Sequence, residues 1–176
     1  MKSIRSARSP SRGERGQSLV ELAISLTVML LLLAGAVTFG MALFSYVALR
    51  DAAQEGALWG SFNPCLDPTG ADCAGAAKVN TSAIQARVRG ASDSPVRLSD
   101  ESVVPPEYIT VDLIGDKACE GTTGTGANAV PNAIKVTVEY DYYIIMPFVN
   151  AMVGNDGNIH LTASVTDTIL SPVCPP

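Results

Sequence analysis

The residues whose types and spacing could carry chemistry lie near the start of the chain, where a basic leader meets an apolar stretch. Five basic residues and one carboxylate precede Gly16, which is followed by Gln17 and, four positions later, by Glu21. Glycine gives a peptidase an unhindered backbone to hold in an extended form. A carboxylate inside an apolar run costs about 2.5 kcal/mol or more at a membrane centre, so Glu21 indicates a function or a cationic partner. The alternative is that Glu21 lies at the membrane interface without a role.

The rest of the chain offers few groups for catalysis or metal binding. Its one histidine, His160, falls on the polar side of a predicted strand with no second ligand identified, so we assign it no catalytic or metal role. The formal charge is -5 although the leader is basic, so the remainder is strongly acidic. Nucleic-acid binding needs clustered Lys and Arg. We therefore expect a protein that is not an enzyme and that uses no cofactor, metal or nucleic acid.

The cysteines indicate an oxidising compartment. Cys65, Cys73, Cys119 and Cys174 all follow the apolar stretch, and an even number on one side of it is typical of disulfides. Three pairings are possible, and we favour Cys65 with Cys73 and Cys119 with Cys174. Zinc binding by four thiolates is the rival, but a closely spaced C-x2-C pair is absent from the sequence.

An apolar segment of membrane length must position these groups. The 28 residues from Leu22 to Leu49 carry no charge. As a helix they measure about 42 Å, against a bilayer core of about 30 Å. The basic leader predicts a cytoplasmic N-terminus and an exported C-terminal part. A cleaved secretory signal is disfavoured because its apolar core has only about 7 to 15 residues, whereas a plain signal anchor explains the length but not Glu21.

The junction Arg15-Gly16-Gln17-Ser18-Leu19-Val20-Glu21-Leu22-Ala23 resembles the class III signal of type IV pilin-like proteins, and the chain is similar to the TadE-like minor pilins of tight-adherence (Tad) systems. The resemblance implies cleavage by a prepilin peptidase between Gly16 and Gln17. It also implies that Glu21, the fifth residue of the processed chain, meets the terminal ammonium of a neighbouring subunit. The processed chain would begin with Gln17, whereas major type IVa pilins usually begin with Phe.

Later features are also similar to this family. An Ala-Ala pair with a basic neighbour follows the apolar segment, and a Pro-Phe pair precedes an alternating strand. These residues are Arg50, Ala52, Ala53, Pro147 and Phe148, with the strand from Ile159 to Ile169. The resemblance implies other pilin subunits and an inner-membrane assembly platform as partners.

We expect three segments: a leader over 1–16, a helix over 17–61 with its membrane part at about 22–49, and an exported domain over 62–176. Asn63-Pro64 ends the helix because the residue before proline disfavours helical geometry. The helix carries two small-xxx-small pairs that would let another backbone approach: Ala36 with Gly40 and Gly56 with Gly60. The alternative for Gly56 and Gly60 is packing on the chain's own domain.

The exported part has the pattern of an antiparallel sheet with one wet face. Apolar residues alternate with polar ones over 109–113, 134–142 and 159–169. The dry face needs a cover, and the extra-membrane half of the long helix is the nearest candidate, with a shorter helix at Ser82–Val88. The predicted fold class is α+β with a pilin-like architecture.

These observations predict a structural pilin-like subunit that is assembled into, or primes, a Tad-type pilus for surface attachment. It would cross the inner membrane once, in contact with membrane lipid, and reach the cell exterior after assembly. The alternative is a membrane-anchored binding or adhesin domain that does not polymerise.

Overall fold

The computed structural model describes residues 12–64, 79–115, 122–123, 130–144 and 157–170. The four cysteines and the Pro147-Phe148 pair lie outside the described residues, as do residues 1–11 of the leader. The disulfide pairing therefore stays a prediction.

The first helix, α1, spans Arg12–Phe62 and contains 51 residues. Its sequence is rich in Ala and Leu and has no proline, so each backbone N–H beyond the first turn can bond within the helix. It ends before the Asn63-Pro64 pair. It begins at Arg12, inside the predicted leader, so the expected boundary between Gly16 and Gln17 falls within a helix.

Contacts divide the chain into two units, residues 1–40 and 41–176. The described part of the first unit is helix with exposed apolar side chains; Leu32, for example, is 70% exposed. Among the described residues, one helix, over Gly16–Phe62, is long and apolar enough to cross a membrane. A helix that is apolar on all sides is stable only in an apolar environment or a packed core. The segment is therefore consistent with a single-pass membrane anchor.

Among its described residues, the second unit contains two small sheets. The larger is antiparallel in the order β1 (Ile109–Ile114), β4 (Ala133–Tyr143) and β5 (Asn158–Thr168). The smaller pairs β2 (Thr122–Thr123) with β3 (Val130–Pro131). In the larger sheet, β4 pairs with β1 on one side and with β5 on the other. Both pairings run over consecutive residues without a break in register.

The predicted wet and dry faces of the larger sheet are confirmed. In β4 the side chains of Ile134, Val136 and Val138 are fully buried, whereas Lys135 and Thr137 between them are partly exposed. The fold is α+β, as the alternation predicted.

In the part of the chain that the structure describes, two helices cover the dry face. The last turns of α1 and the helix α2, at Thr81–Gly90, bury Ala53, Ala57, Ile84 and Val88 against the sheet. The side chain of Gln85 donates a hydrogen bond to the carbonyl of Ile109, at 2.7 Å, and so ties α2 to β1. The extra-membrane half of α1 thus packs on the sheet, as predicted, and α2 is slightly longer than the expected 82–88.

The end of the sheet is joined to the end of α1 by backbone bonds. Leu170 donates to the carbonyl of Ser61 at 3.1 Å, and Ile169 donates to the carbonyl of Asn132 at 2.9 Å. Gly115 lies beside buried Asn132 with a φ of 115°, and a Cβ there would collide with the Asn132 side chain. Both the left-handed backbone and the close approach require glycine at this position.

Candidate processing and assembly site

The predicted cleavage position lies on an open surface of α1. Gly16 is exposed, and a Cβ placed there would meet no atom within 4 Å. Both Gly16 and Gln17 are helical, so a peptidase that needs an extended backbone must first unwind this turn. Glycine inside a helix costs about 1 kcal/mol relative to alanine, which makes the turn at Gly16 easier to open.

Glu21 lies on an apolar surface one turn beyond Gln17. One face of the helix carries Gln17, Val20, Glu21, Ile24 and Ser25. All of these side chains are exposed, and among the side chains that the structure describes Glu21 makes no ion pair. The carboxylate is therefore available to a cation from outside the described residues, and helix geometry also brings the backbone of Gln17 close to it.

Three hydroxyl side chains deeper in the apolar segment form hydrogen bonds within the helix. The hydroxyls of Ser25, Thr27 and Thr38 donate to the carbonyls one turn earlier, at 3.0, 2.8 and 3.0 Å. Such bonds let Ser and Thr enter hydrocarbon without an unpaired donor. Glu21 has no comparable partner among the described side chains, so it differs from these three residues.

The four predicted helix-packing residues fall into two environments. Gly56 and Gly60 are buried in the second unit, where they contact side chains of α2 and β4. A Cβ at Gly60 would lie 2.9 Å from Ile84 Cδ1 and 3.3 Å from Ile134 Cδ1. The structure therefore favours the alternative for this pair, packing on the chain's own domain. Ala36 and Gly40 are exposed, and their contact with another helix stays a prediction.

A comparison with protein families connects this segment to known proteins. Residues 16–58 match the model of a family described as TadE-like protein. This segment is similar to TadE-like proteins. The match begins at Gly16, contains Glu21 and ends at Leu58, so it lies entirely within α1. The resemblance stated from the sequence is confirmed over these residues.

The match covers 43 of the 176 residues, less than half of the chain. The match leaves out α2 and the strands. No curated protein and no solved structure matches the chain.

Outside the TadE-like segment, the structure brings together a polar cluster that the sequence did not reveal. The hydroxyl of Tyr108 donates to Asp141 Oδ2 at 2.7 Å, and His160 Nδ1 lies 2.8 Å from Asp141 Oδ1. His160 Nε2 lies 3.4 Å from Glu139 Oε2. Alternation placed Glu139, Asp141 and His160 on wet faces, but only the β4–β5 register sets Asp141 opposite His160.

The hydrogen bonds within this cluster shift the pKa values of its members. The hydrogen bond with Asp141 is the main cause that raises the pKa of His160, and the same bond lowers the pKa of Asp141. The bond to Asp141 also raises the pKa of Tyr108. Both ring nitrogens of His160 face carboxylates, which favours the protonated ring. The side chains of His160 and Asp141 are 50% and 40% exposed, so the cluster is a surface network that joins Tyr108 to two strands.

Proposed function

We propose that this chain is a pilin-like structural subunit, processed after Gly16 and then assembled into, or priming, a Tad-type pilus for surface attachment. The observation that carries the proposal is the TadE-like match over residues 16–58, which starts at the proposed cleavage residue. The apolar helix and the α+β unit agree with this class of protein.

Processing is the first step of the proposal. The prepilin peptidase would act at the cytoplasmic face, where the basic leader holds the N-terminus by the positive-inside rule. The open space around Gly16 leaves room for a protease to hold the chain. Cleavage between Gly16 and Gln17 removes the leader and leaves the apolar helix, so the processed chain remains in the membrane.

Assembly is the second step, and it depends on Glu21. Cleavage creates an ammonium group on Gln17, and the carboxylate of a neighbouring subunit's Glu21 can pair with it. Neither charge is stable alone in an apolar medium, so the pair favours two adjacent helices. The exposed small residues Ala36 and Gly40 provide a place for close helix approach within the same segment.

The rival pairing is within one chain. Gln17 and Glu21 share a face one turn apart, so the new ammonium could meet the carboxylate of its own helix. Pairing with a neighbouring subunit explains why the Glu21 carboxylate would matter for assembly. Pairing within one chain gives the carboxylate only a local role. Mixed populations of variant and wild-type chains separate the two, as described in the Discussion.

The deciding experiment is the intact mass of the chain isolated from membranes that contain a prepilin peptidase. We expect a mass that lacks residues 1–16. A full-length mass, or a cut near residue 40, would exclude the processed pilin and favour the anchored binding or adhesin domain. Capture of other pilins and of the assembly platform from the same membranes then tests assembly separately.

A further inference from the structure

The β5 strand forms one edge of the larger sheet, and backbone bonds at both ends of the β4–β5 ladder show which of its groups face outward. Ile144 donates to the carbonyl of Gly157 at 2.8 Å, and Ile169 donates to the carbonyl of Asn132 at 2.9 Å. Both pairs continue the register of β4 and β5. Hydrogen-bonded pairs recur at every second residue of an antiparallel ladder. The odd-numbered residues of β5 therefore bond to β4, and the even-numbered residues direct their N–H and C=O groups outward.

The opposite edge of the sheet, along β1, is covered. The even-numbered residues of β4 bond to β5, so its odd-numbered residues bond to β1, and the outward backbone groups of β1 are those of Ile109, Val111 and Leu113. The side chain of Gln85 donates to the outward carbonyl of Ile109 at 2.7 Å, and α2 lies beside this strand. Along β5, no residue that the structure describes makes a comparable bond to the outward groups between His160 and Thr166.

The chain itself occupies the outward N–H groups beyond this stretch. The N–H of Thr168 donates to Asp167 Oδ1 at 3.1 Å, and the N–H of Leu170 donates to the carbonyl of Ser61 at 3.1 Å. The open part of the edge therefore ends at Thr166. Its outward backbone groups belong to His160, Thr162, Ser164 and Thr166, and all four side chains are exposed.

This edge lacks the features that usually prevent pairing with another strand. Natural edges are shortened, bulged, or protected by proline or lysine. The β5 strand has 11 residues, contains no proline, glycine or lysine, and pairs with β4 without a break in register. Most of its residues are Thr, Val, Ile, Leu or Ser. A long regular edge of this composition favours the addition of a further strand.

The side chains of β5 indicate what a partner strand must carry. On the dry face, Leu161 and Val165 pack on the core but remain partly exposed, so apolar side chains beside them would complete their burial. Asp167 follows on the same face and makes no ion pair within the described part of the chain. Residues 41–176 contain 7 Lys and Arg against 15 Asp and Glu, which favours a basic partner.

We propose that the outer edge of β5, from His160 to Thr166, docks an extended segment of another protein, which adds to the larger sheet as a further antiparallel strand. The segment alternates apolar and polar residues and carries a basic residue opposite Asp167. Its backbone bonds to β5 supply the affinity, and its alternate side chains supply the specificity. The proposal goes beyond the proposed function and requires neither processing at Gly16 nor a partner for Glu21.

Binding of a labelled peptide to the full chain, purified in detergent micelles, tests the proposal by fluorescence anisotropy. The peptide Lys-Thr-Val-Thr-Ala-Thr-Val-Thr places its Lys opposite Asp167 and its second Thr opposite Ser164. N-methylation of that Thr removes a donor that faces β5 and should weaken binding about tenfold. N-methylation of the neighbouring Ala, whose N–H faces away from β5, is the matched control and should leave the affinity unchanged. Equal affinities of the two methylated peptides would overturn the proposal.

Variants of the chain test the same edge from the other side. Ser164→Pro removes an outward N–H without a bond to β4, so it should abolish peptide binding, whereas Ser164→Ala keeps this N–H and should bind as wild type does. Asp167→Asn should weaken binding of the Lys peptide but not of a peptide with Gln in place of Lys. Full binding by a folded Ser164→Pro chain contradicts the proposal.

Amide hydrogen exchange, measured by NMR, locates the bound peptide even if Ser164→Pro does not fold. In the free chain the amides of Ala163 and Val165 should exchange slowly and those of Thr162, Ser164 and Thr166 rapidly, and the peptide should slow only the second group. Binding without this change would place the peptide elsewhere and overturn the proposal. Slowing of the same amides by a higher concentration of the chain alone would assign the edge to a second copy, which also overturns it.

Discussion

Gly56 of α1 and Val88 of α2 approach so closely that a Cβ at position 56 would collide with the Val88 side chain. Val88 is β-branched and fully buried, so it cannot turn away without disturbing Ile84 and the sheet beneath. The contact sets the distance between the two helices and explains why α1 carries glycine at position 56.

The first prediction follows from this contact. Gly56→Ala should destabilise the second unit, because overpacking costs about 1 to 3 kcal/mol, while the gain in helix propensity is only about 1 kcal/mol. Gly40→Ala, where a Cβ meets nothing within 4 Å, should leave the unfolding midpoint of that unit unchanged. Denaturant unfolding of the two purified variants and of wild type measures the difference. Equal midpoints for all three would show that the helices can separate at no cost.

The second prediction concerns processing at Gly16. Gly16→Ala should slow cleavage and Gly16→Val should abolish it, because a side chain hinders an extended backbone in a peptidase and a helix without glycine opens less easily. Membrane insertion should survive, since the apolar segment is unchanged. Gly35→Ala, also in open space on the same helix, is the control and should be processed normally. Mass spectrometry of membrane extracts gives the readout; normal processing of Gly16→Val would place the cut elsewhere.

The third prediction concerns Glu21. Glu21→Gln should leave cleavage and folding near wild type but reduce recovery of partner pilins, because an unpaired ammonium in an apolar medium costs a few kcal/mol. Glu21→Asp should be intermediate, since it keeps the charge with a shorter reach. The control is Glu55→Gln, which removes an exposed carboxylate of the same helix paired with Arg87 at 2.8 Å. Crosslinking in membranes at matched protein levels is the measurement, and wild-type recovery with Gln at position 21 would contradict the pairing.

Coexpression with wild-type chains separates the neighbour pairing from the pairing within one chain. If the partner is a neighbour, the ammonium of a Glu21→Gln chain can still meet a wild-type carboxylate, and its incorporation should be partly restored. If the partner is the same chain, wild-type subunits offer no help, and incorporation should remain low.

The fourth prediction is a pH dependence from the cluster of His160 and Asp141. The folded state raises the pKa of His160, so its contribution to stability is complete below the unfolded value of about 6.5 and is lost as the pH rises through the folded value. The pKa of Asp141 is lowered, so its contribution is complete above about 4 and is lost on further acidification. The cluster should therefore stabilise the sheet most between about pH 4 and 6.5.

Thermal unfolding of wild type, His160→Gln and Asp141→Asn at pH 5.5 and 8 tests this. Wild type should lose more stability than either variant over this interval, and salt should reduce the difference because the cluster is exposed. The same loss in all three chains would remove the cluster as its cause.

Local patterns in the sequence were sufficient for the elements and their faces. The uncharged run after Glu21 predicted a long apolar helix, Asn63-Pro64 predicted an end close to Phe62, and alternation in β4 predicted which side chains are buried. Each of these properties depends on neighbours along the chain: the helical period, the restriction before proline, and the period of two in a strand. The resemblance to TadE-like proteins also rested on local residues, the junction from Arg15 to Ala23 and the apolar run that follows it.

Contacts between distant segments were decided only by the tertiary structure. A small-xxx-small pair fits any backbone that comes near, so the sequence left two partners for Gly56 and Gly60; the packing of Ile84, Val88 and β4 selected the chain's own domain. Likewise, alternation assigns His160 to a face but not to a partner, because a strand can slide by two residues and keep the same face. The β4–β5 register places it opposite Asp141, and the turn before β1 brings in Tyr108. Residues far apart along the chain become neighbours only through the packing of the whole core. For this reason the partners of Gly56, Gly60 and His160 could not be assigned from the sequence.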